Sequence, residues 1–150
     1  MIVKSLDHLN QISKTTSQKL EKGDCIFLIG EIGVGKTTFA RYLINNLQYQ
    51  KGLEETEVLS PTFNLLYEYE IKDLKIMHYD LYRIKKANEL DHLGIFLENE
   101  KAVKIIEWPD LIKTPLTNKL EIYLEYGEND NQRKMKVNGS GKWKDFENEV

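Results

Sequence analysis

Apolar residues fall in two rhythms along this chain. In "SLDHLNQISKTTSQKL" the helical rhythm dominates: Leu6, Leu9, Ile12, Thr16 and Leu20 lie near one face, and Ser5 or Asp7 can cap the start. Ile2 to Lys4 before it reads as a short strand, and Gly23–Asp24 after it as a turn. "CIFLIG" (25–30) is a nearly continuous apolar run, the signature of a strand covered on both faces. A glycine-rich loop follows directly, then the amphipathic helix "KTTFARYLINNL". "TFNLLYEYEI" and "LKIMHYDLYRI" flank Lys72 and Asp73 and predict two strands joined by a tight turn. Residues 86–99 predict short helices broken at Gly94. "AVKIIEW" predicts another buried strand, ended by Pro109. "KLEIYLEYG" and "RKMKVNG" alternate around the turn "ENDN". Helices alternate with apolar strands early and antiparallel pairs come later. The expected fold class is therefore α/β: one three-layer domain over 1–150, with a mixed sheet, helices on both faces and added antiparallel strands.

Composition narrows the classes. The chain has 150 residues, 41% hydrophobic and 30% charged, the profile of an ordinary globular domain. Its 21 basic and 24 acidic residues give a net charge of -3, which argues against broad non-specific nucleic-acid binding. The one cysteine, Cys25, has no disulfide partner and reads as a small buried apolar residue. "MIVKSLDHLN" has no apolar core of a signal peptide, and no run approaches the roughly 20 residues of a membrane span. The expected location is the cytoplasm.

The loop carries the chemistry. "GEIGVGKTT" contains G-x-x-x-x-G-K-T at Gly30, Gly35, Lys36 and Thr37. Glycines let the stretch Gly30, Glu31, Ile32, Gly33, Val34, Gly35 curl so that successive N–H groups face phosphate oxygens. The helix starting near Lys36 aims its positive end at the same charge. Lys36 can reach the β- and γ-phosphates, Thr37 can ligate Mg²⁺, and Thr38 can add a hydroxyl to the α-phosphate. The apolar strand before and the amphipathic helix after complete the P-loop NTPase-like context. "NGSGKW" (138–143) lacks the first glycine and the hydroxyl after Lys142, and reads as a turn.

Such a site needs a carboxylate at a neighbouring strand end, to hold the metal or its water or to polarise the attacking water. The chain offers Asp80 in "IMHYD" and Glu107 in "AVKIIE", and spacing leaves their division of roles open. By period two, Val103, Ile105 and Glu107 share one face and Ile106 and Trp108 the other. Core packing and a partner contact are both open for Trp108. Thr62, in the loop "SPTF", can approach the γ-phosphate and Mg²⁺, or simply belong to a turn set by Pro61. His78 shares a strand face with Asp80, either as a buried satisfied histidine or as support for the site.

"GEIGVGKTT", "SPTF", "HYDLYRI" and "IIEWPD", in this order and spacing, resemble the TsaE family, the small bacterial P-loop ATPases of tRNA threonylcarbamoyladenosine biosynthesis. The resemblance covers most of the chain. It implies a cytoplasmic ATPase that uses ATP and Mg²⁺ and binds the TsaB–TsaD pair. TsaD performs the transfer to tRNAs reading codons that begin with A, so tRNA is met only through the complex. The resemblance also implies that Lys36 and Thr37 hold phosphate and Mg²⁺ and that Glu107 is a metal ligand. Asp80 is implied as the second catalytic carboxylate and Thr62 as a switch-loop residue. Asp7 and Arg133 are implied as nucleotide contacts.

Three rivals stand beside this reading, of which a non-hydrolysing nucleotide-dependent binding module is disfavoured by the presence of both Asp80 and Glu107. "DHLG" (91–94) and "NKLE" (118–121) fit a small GTPase in order, but "DHLG" follows a polar helix-like segment and "NKLE" ends in Glu where guanine recognition needs Asp. A small-molecule kinase needs an arginine-bearing lid, and Arg41, Arg83 and Arg133 are scattered.

Overall fold

In the computed structural model, which describes residues 1–96 and 100–150, seven strands form one mixed sheet. They are β1 (Ile2–Val3), β2 (Cys25–Gly30), β3 (Leu66–Ile71), β4 (Leu74–Asp80), β5 (Val103–Glu107), β6 (Lys119–Tyr126) and β7 (Arg133–Gly139). The helices are α1 (Leu6–Lys19), α2 (Lys36–Gln50) and α3 (Ala87–Asp91). The spatial order is β1-β7-β6-β2-β5-β4-β3. The inner strands β6, β2, β5 and β4 run parallel, while β7 and β3 flank them antiparallel and β1 adds to β7. This is the expected α/β mixed sheet with antiparallel additions.

Burial explains the layers. Ile26 and Leu28 of β2, Ile105 of β5 and Ile122 of β6 form one core with Phe39, Leu43, Ile44 and Leu47 of α2 and with Leu9 and Ile12 of α1. Trp143 and Phe146, in two 3₁₀ turns after β7, close its end. On the other face, Cys25, Phe27, Met77, Tyr79 and Ile106 form a smaller core, covered by α3 and by loop residues such as Leu93 and Ile95. Burial pushes the Cys25 thiol up to about 12, which keeps it unreactive, as a buried apolar residue should be.

Ser5 caps α1 by accepting from the His8 N–H at 3.1 Å. The buried stripe keeps Leu9, Ile12, Thr16 and Leu20 as expected but differs at its edges: Leu6 is exposed, while Ser13 and Ser17 are buried. Small hydroxyl residues line the seam against α2, and Asn46 and Gln50 of α2 donate to Ser13 and Ser17 at 3.0 and 2.6 Å. Hydroxyls that also bond their own helix's carbonyls are cheap to bury, which apolar spacing does not register.

The strands are shorter than the pattern predicts. β3 begins at Leu66 because the Leu65 N–H bonds back to the Pro61 carbonyl at 2.7 Å, which curls residues 61–65 into a turn. β4 ends at Asp80 because its carboxylate accepts the Tyr82 N–H at 2.9 Å and turns the chain. The helical reading of 86–99 is met by α3 and the turn around Gly94, and positions 97–99 lie outside the described residues. In "NGSGKW" the first two residues end β7 and the predicted turn follows over 140–143, where Lys142 ion-pairs with buried Asp24 at 2.6 Å and with Glu21 at 3.0 Å, clamping this turn to the start of β2.

Leu43 is fully buried in the α2 seam, whereas Tyr49 on the same helix is 75% exposed. Leu43→Ala is expected to lower unfolding free energy by about 2–5 kcal/mol. Tyr49→Ala should change it by less than about 0.5 kcal/mol. Urea titration checks the pair, and equal losses would contradict this packing.

Candidate functional site

The parallel register creates the site. Leu28 pairs with Glu107 across β2 and β5, and Glu107 pairs with Asp80 across β5 and β4. Both carboxylates therefore end their strands side by side, on the face that α2 covers. The loop leaving β2 rises over them and feeds α2. Gly30 is indispensable to that path: its φ is 152°, and a Cβ there would stand 2.3 Å from the Leu124 carbonyl oxygen. Gly35 precedes α2 without a side-chain cap, so the first N–H groups of the helix are free to serve an anion.

A cleft of about 310 Å³ gathers Lys36, Thr37, Thr38, Thr62, Asp80 and Glu107. Lys36 is 4% exposed and donates to the Gly30 and Glu31 carbonyls at 2.7 and 2.8 Å. Burial lowers its pKa, and the negative charges of Glu107 and Asp80 oppose that shift. The Thr37 hydroxyl lies 3.0 and 3.1 Å from the two Glu107 oxygens. His78 Nε2 lies 2.8 Å from Glu107 Oε1, and the side chains are 0% and 3% exposed. The Thr62 hydroxyl donates to Asp80 at 2.9 Å and is 2.8 Å from the Ser60 hydroxyl. Arg83 holds this loop by donating to the Thr62 carbonyl at 2.9 Å and to the Phe63 carbonyl.

Trp108 corrects the period-two reading. Its φ is 58°, so the strand alternation stops at Glu107 and the indole lines the same cleft. The Lys36 ammonium sits 4.3 Å from its ring centroid, and Tyr82 packs on it at 4.8 Å. Trp108 also packs against the smaller core, so it is both core and cleft wall.

Asp7 and Arg133 line a second cleft of about 540 Å³ that shares Gly33, Gly35 and Thr38 with the first. Arg133 donates to the Val34 carbonyl at 2.9 Å and lies 4.8 Å from the Tyr126 ring, while Tyr126 donates to the Ile32 carbonyl at 2.7 Å. The last hairpin thus braces the loop from behind. Tyr82 and Tyr126 escaped the sequence reading. Asp80 two residues earlier hinted at Tyr82, whereas the partner of Tyr126 lies 94 positions away and left no local signal.

The rival motifs do not join the cleft. No residue of "DHLG" or "NKLE" lines it, and Asn118 Oδ1 accepts from the Lys142 N–H. Arg41 and Arg83 are held on carbonyls of the segment between α2 and β3, at Val58 and Thr62, and Arg133 on the Val34 carbonyl, and none of the three lines the cleft.

Parallel strands, a glycine loop between β2 and α2, and carboxylates at the next two strand ends define a P-loop NTPase-like α/β protein. The crystal structure of Bacillus subtilis YdiB superposes with a TM-score of 0.71 at 25% identity, covering 99% of this chain and 90% of that one. The family model "Threonylcarbamoyl adenosine biosynthesis protein TsaE" matches residues 3–135. The proteins described as "tRNA threonylcarbamoyladenosine biosynthesis protein TsaE" from Rickettsia conorii and Rickettsia felis are 39% and 36% identical over 126 residues. Those alignments cover 83% of this chain and 70% and 71% of the relatives. The chain belongs to the TsaE family.

Removing the Arg83 guanidinium should free the loop at Thr62. Arg83→Ala is expected to speed amide exchange at Asn64 and Leu65 about tenfold, the equivalent of one to two lost hydrogen bonds. Unchanged exchange there would mean that Arg83 does not hold the loop.

Proposed function

We propose that this chain is a Mg²⁺-dependent ATPase of one domain, slow alone, that supports turnover of a TsaB–TsaD complex in threonylcarbamoyladenosine modification of tRNA. The observation that carries the reading is the convergence of Lys36, Thr37, Asp80 and Glu107 on one cleft at the N-terminus of α2. The residues fit the metal. Thr37 Oγ1 and the nearer Glu107 oxygen are 3.0 Å apart. Neighbouring ligands of an octahedral Mg²⁺ with bonds of about 2.0–2.1 Å stand about 2.9 Å apart. Thr37 and Glu107 would hold the ion. Mg²⁺ bound there supplies neutralisation of charge on the phosphate oxygens.

The protein's own groups do the rest. Lys36 exchanges its two loop carbonyls for phosphate oxygens, which its buried ammonium binds more strongly because water is excluded. The free N–H groups of Gly33, Gly35 and the first turn of α2 receive the remaining phosphate charge. Asp80, tied to the Thr62 hydroxyl rather than to Thr37, orients the attacking water, and Thr62 senses the terminal phosphate through the same bond. Asp7 and Arg133 lie beyond the loop on the side open to the nucleoside, with Arg133 also fixing the loop. Ile32 at the loop tip and Phe63 beside Thr62 are 64% and 84% exposed, and apolar side chains in this place suit a partner that completes the cleft. The acidic balance suits an indirect encounter with tRNA, in the cytoplasm, through that partner.

The direct test is capture by TsaB–TsaD with and without ATP, alongside ATP hydrolysis. ATP-dependent capture and accelerated hydrolysis are expected, and fast turnover indifferent to the pair would contradict the reading. Lys36→Ala should abolish measurable ATP binding, and unchanged affinity by calorimetry would refute the phosphate site. Glu107→Ala should cut hydrolysis by roughly 100-fold or more while ATP still binds. A normal hydrolysis rate would move the principal role to Asp80.

A further inference from the structure

His78 is a buried polar group beside the cleft that the proposed mechanism leaves unused. It lies on β4 two residues before Asp80, on the face that α2 covers, and opposite Ile105 of β5. It is 0% exposed. Its Nε2 is 2.8 Å from Glu107 Oε1, and its Nδ1 is buried with no hydrogen-bond partner among the described residues. A carboxylate accepts only, so the ring contributes the proton through Nε2. The tautomer with hydrogen on Nε2 leaves an unpaired acceptor at Nδ1. The other arrangements would leave an unpaired N–H in the core, which costs more.

Glu107 is 2% exposed at the floor of the cleft, so protein groups hold most of its orientation. Its Oε1 takes the His78 bond as well as an approach from Thr37, while Oε2 is met, among the described residues, by Thr37. The imidazole, packed rigidly within the sheet, thereby selects one carboxylate rotamer. We propose that His78 is a positioning residue: by donating from Nε2 to Glu107 Oε1 it fixes the carboxylate beside the Thr37 hydroxyl, and so sets the protein's Mg²⁺ affinity in the presence of nucleotide. This rests on the assignment of Glu107 to the cation made above. The imidazole touches neither the metal nor the nucleotide in this role, and no proton moves.

Calorimetry of ADP binding, in Mg²⁺ and in EDTA, tests it on the full chain. The readout is the gain in affinity that Mg²⁺ confers. His78→Leu is expected to reduce that gain by roughly 10- to 100-fold and to leave the affinity in EDTA near the wild-type value. His78→Gln, whose terminal amide N–H can replace the Nε2 donor, should recover most of the gain. A His78→Leu protein with the full Mg²⁺ gain, or one that loses affinity equally in Mg²⁺ and EDTA, overturns the positioning role. Glu107→Gln separates the two levels. If the wild type shows no Mg²⁺ gain, or Glu107→Gln keeps it, the metal assignment itself fails. If Glu107→Gln loses the gain and His78→Leu does not, only the role of His78 fails. Nitrogen-15 spectra of the wild-type imidazoles provide a readout independent of any variant's folding. A buried ring protonated on Nε2 is expected for His78, and protonation on Nδ1 overturns the proposal.

Discussion

The site depends on strand register. Leu28, Glu107 and Asp80 are neighbours across three parallel strands, and this alone places two carboxylates under the start of α2. Side chains alternate along a strand, so a slip of one residue in β5 would turn Glu107 to the opposite face and leave Thr37 without its partner. The apolar residues before each carboxylate guard against that slip. Ile105 and Val103 share the face of Glu107, and Ile76 shares that of Asp80, all in the larger core. Packing that serves stability therefore also fixes where the charges emerge.

Burying those charges would be prohibitive without mutual compensation. Asp80 and Glu107 stand on adjacent strands, and Lys36 is attracted by both. Each carboxylate is also hydrogen-bonded, Glu107 to Thr37 and His78, and Asp80 to Thr62 and the Tyr82 N–H. The Lys36 ammonium spends its remaining capacity on loop carbonyls and the Trp108 ring. Nearly every polar group in the cleft thus belongs to a network that connects α2, β4, β5 and the loop around Thr62. On the proposed reading, a phosphate entering this network adds bonds from the loop N–H groups and exchanges those of Lys36. That links the state of the cleft to the loop that carries exposed Phe63.

Much of this was legible in the sequence, because it is encoded locally. The apolar run of β2, the glycine loop and the helix after it follow one another without interruption, so the strand-loop-helix unit could be read directly. The antiparallel hairpins were legible from alternation. The features that escaped are those fixed by distant partners or by one unusual backbone angle. Trp108 obeyed no period because its positive φ ends the alternation one residue earlier than its apolar character suggests. Spacing puts Leu6 on the face of Leu9 and Ile12, but the seam between α1 and α2 is completed by hydroxyl residues that hydropathy counts as polar. The brace of Tyr126 and Arg133 on the loop joins positions far apart in the chain, and the bond between His78 and Glu107 required the register of β4 and β5.

The most direct measurement is a crystal structure of the protein with Mg²⁺ and a non-hydrolysable ATP analogue. The account predicts phosphates against the first turn of α2, Lys36 swung from the Gly30 and Glu31 carbonyls onto them, and a Mg²⁺ ion bound by Thr37 and Glu107. Phosphates bound away from Lys36, or a metal held without Glu107, would contradict it.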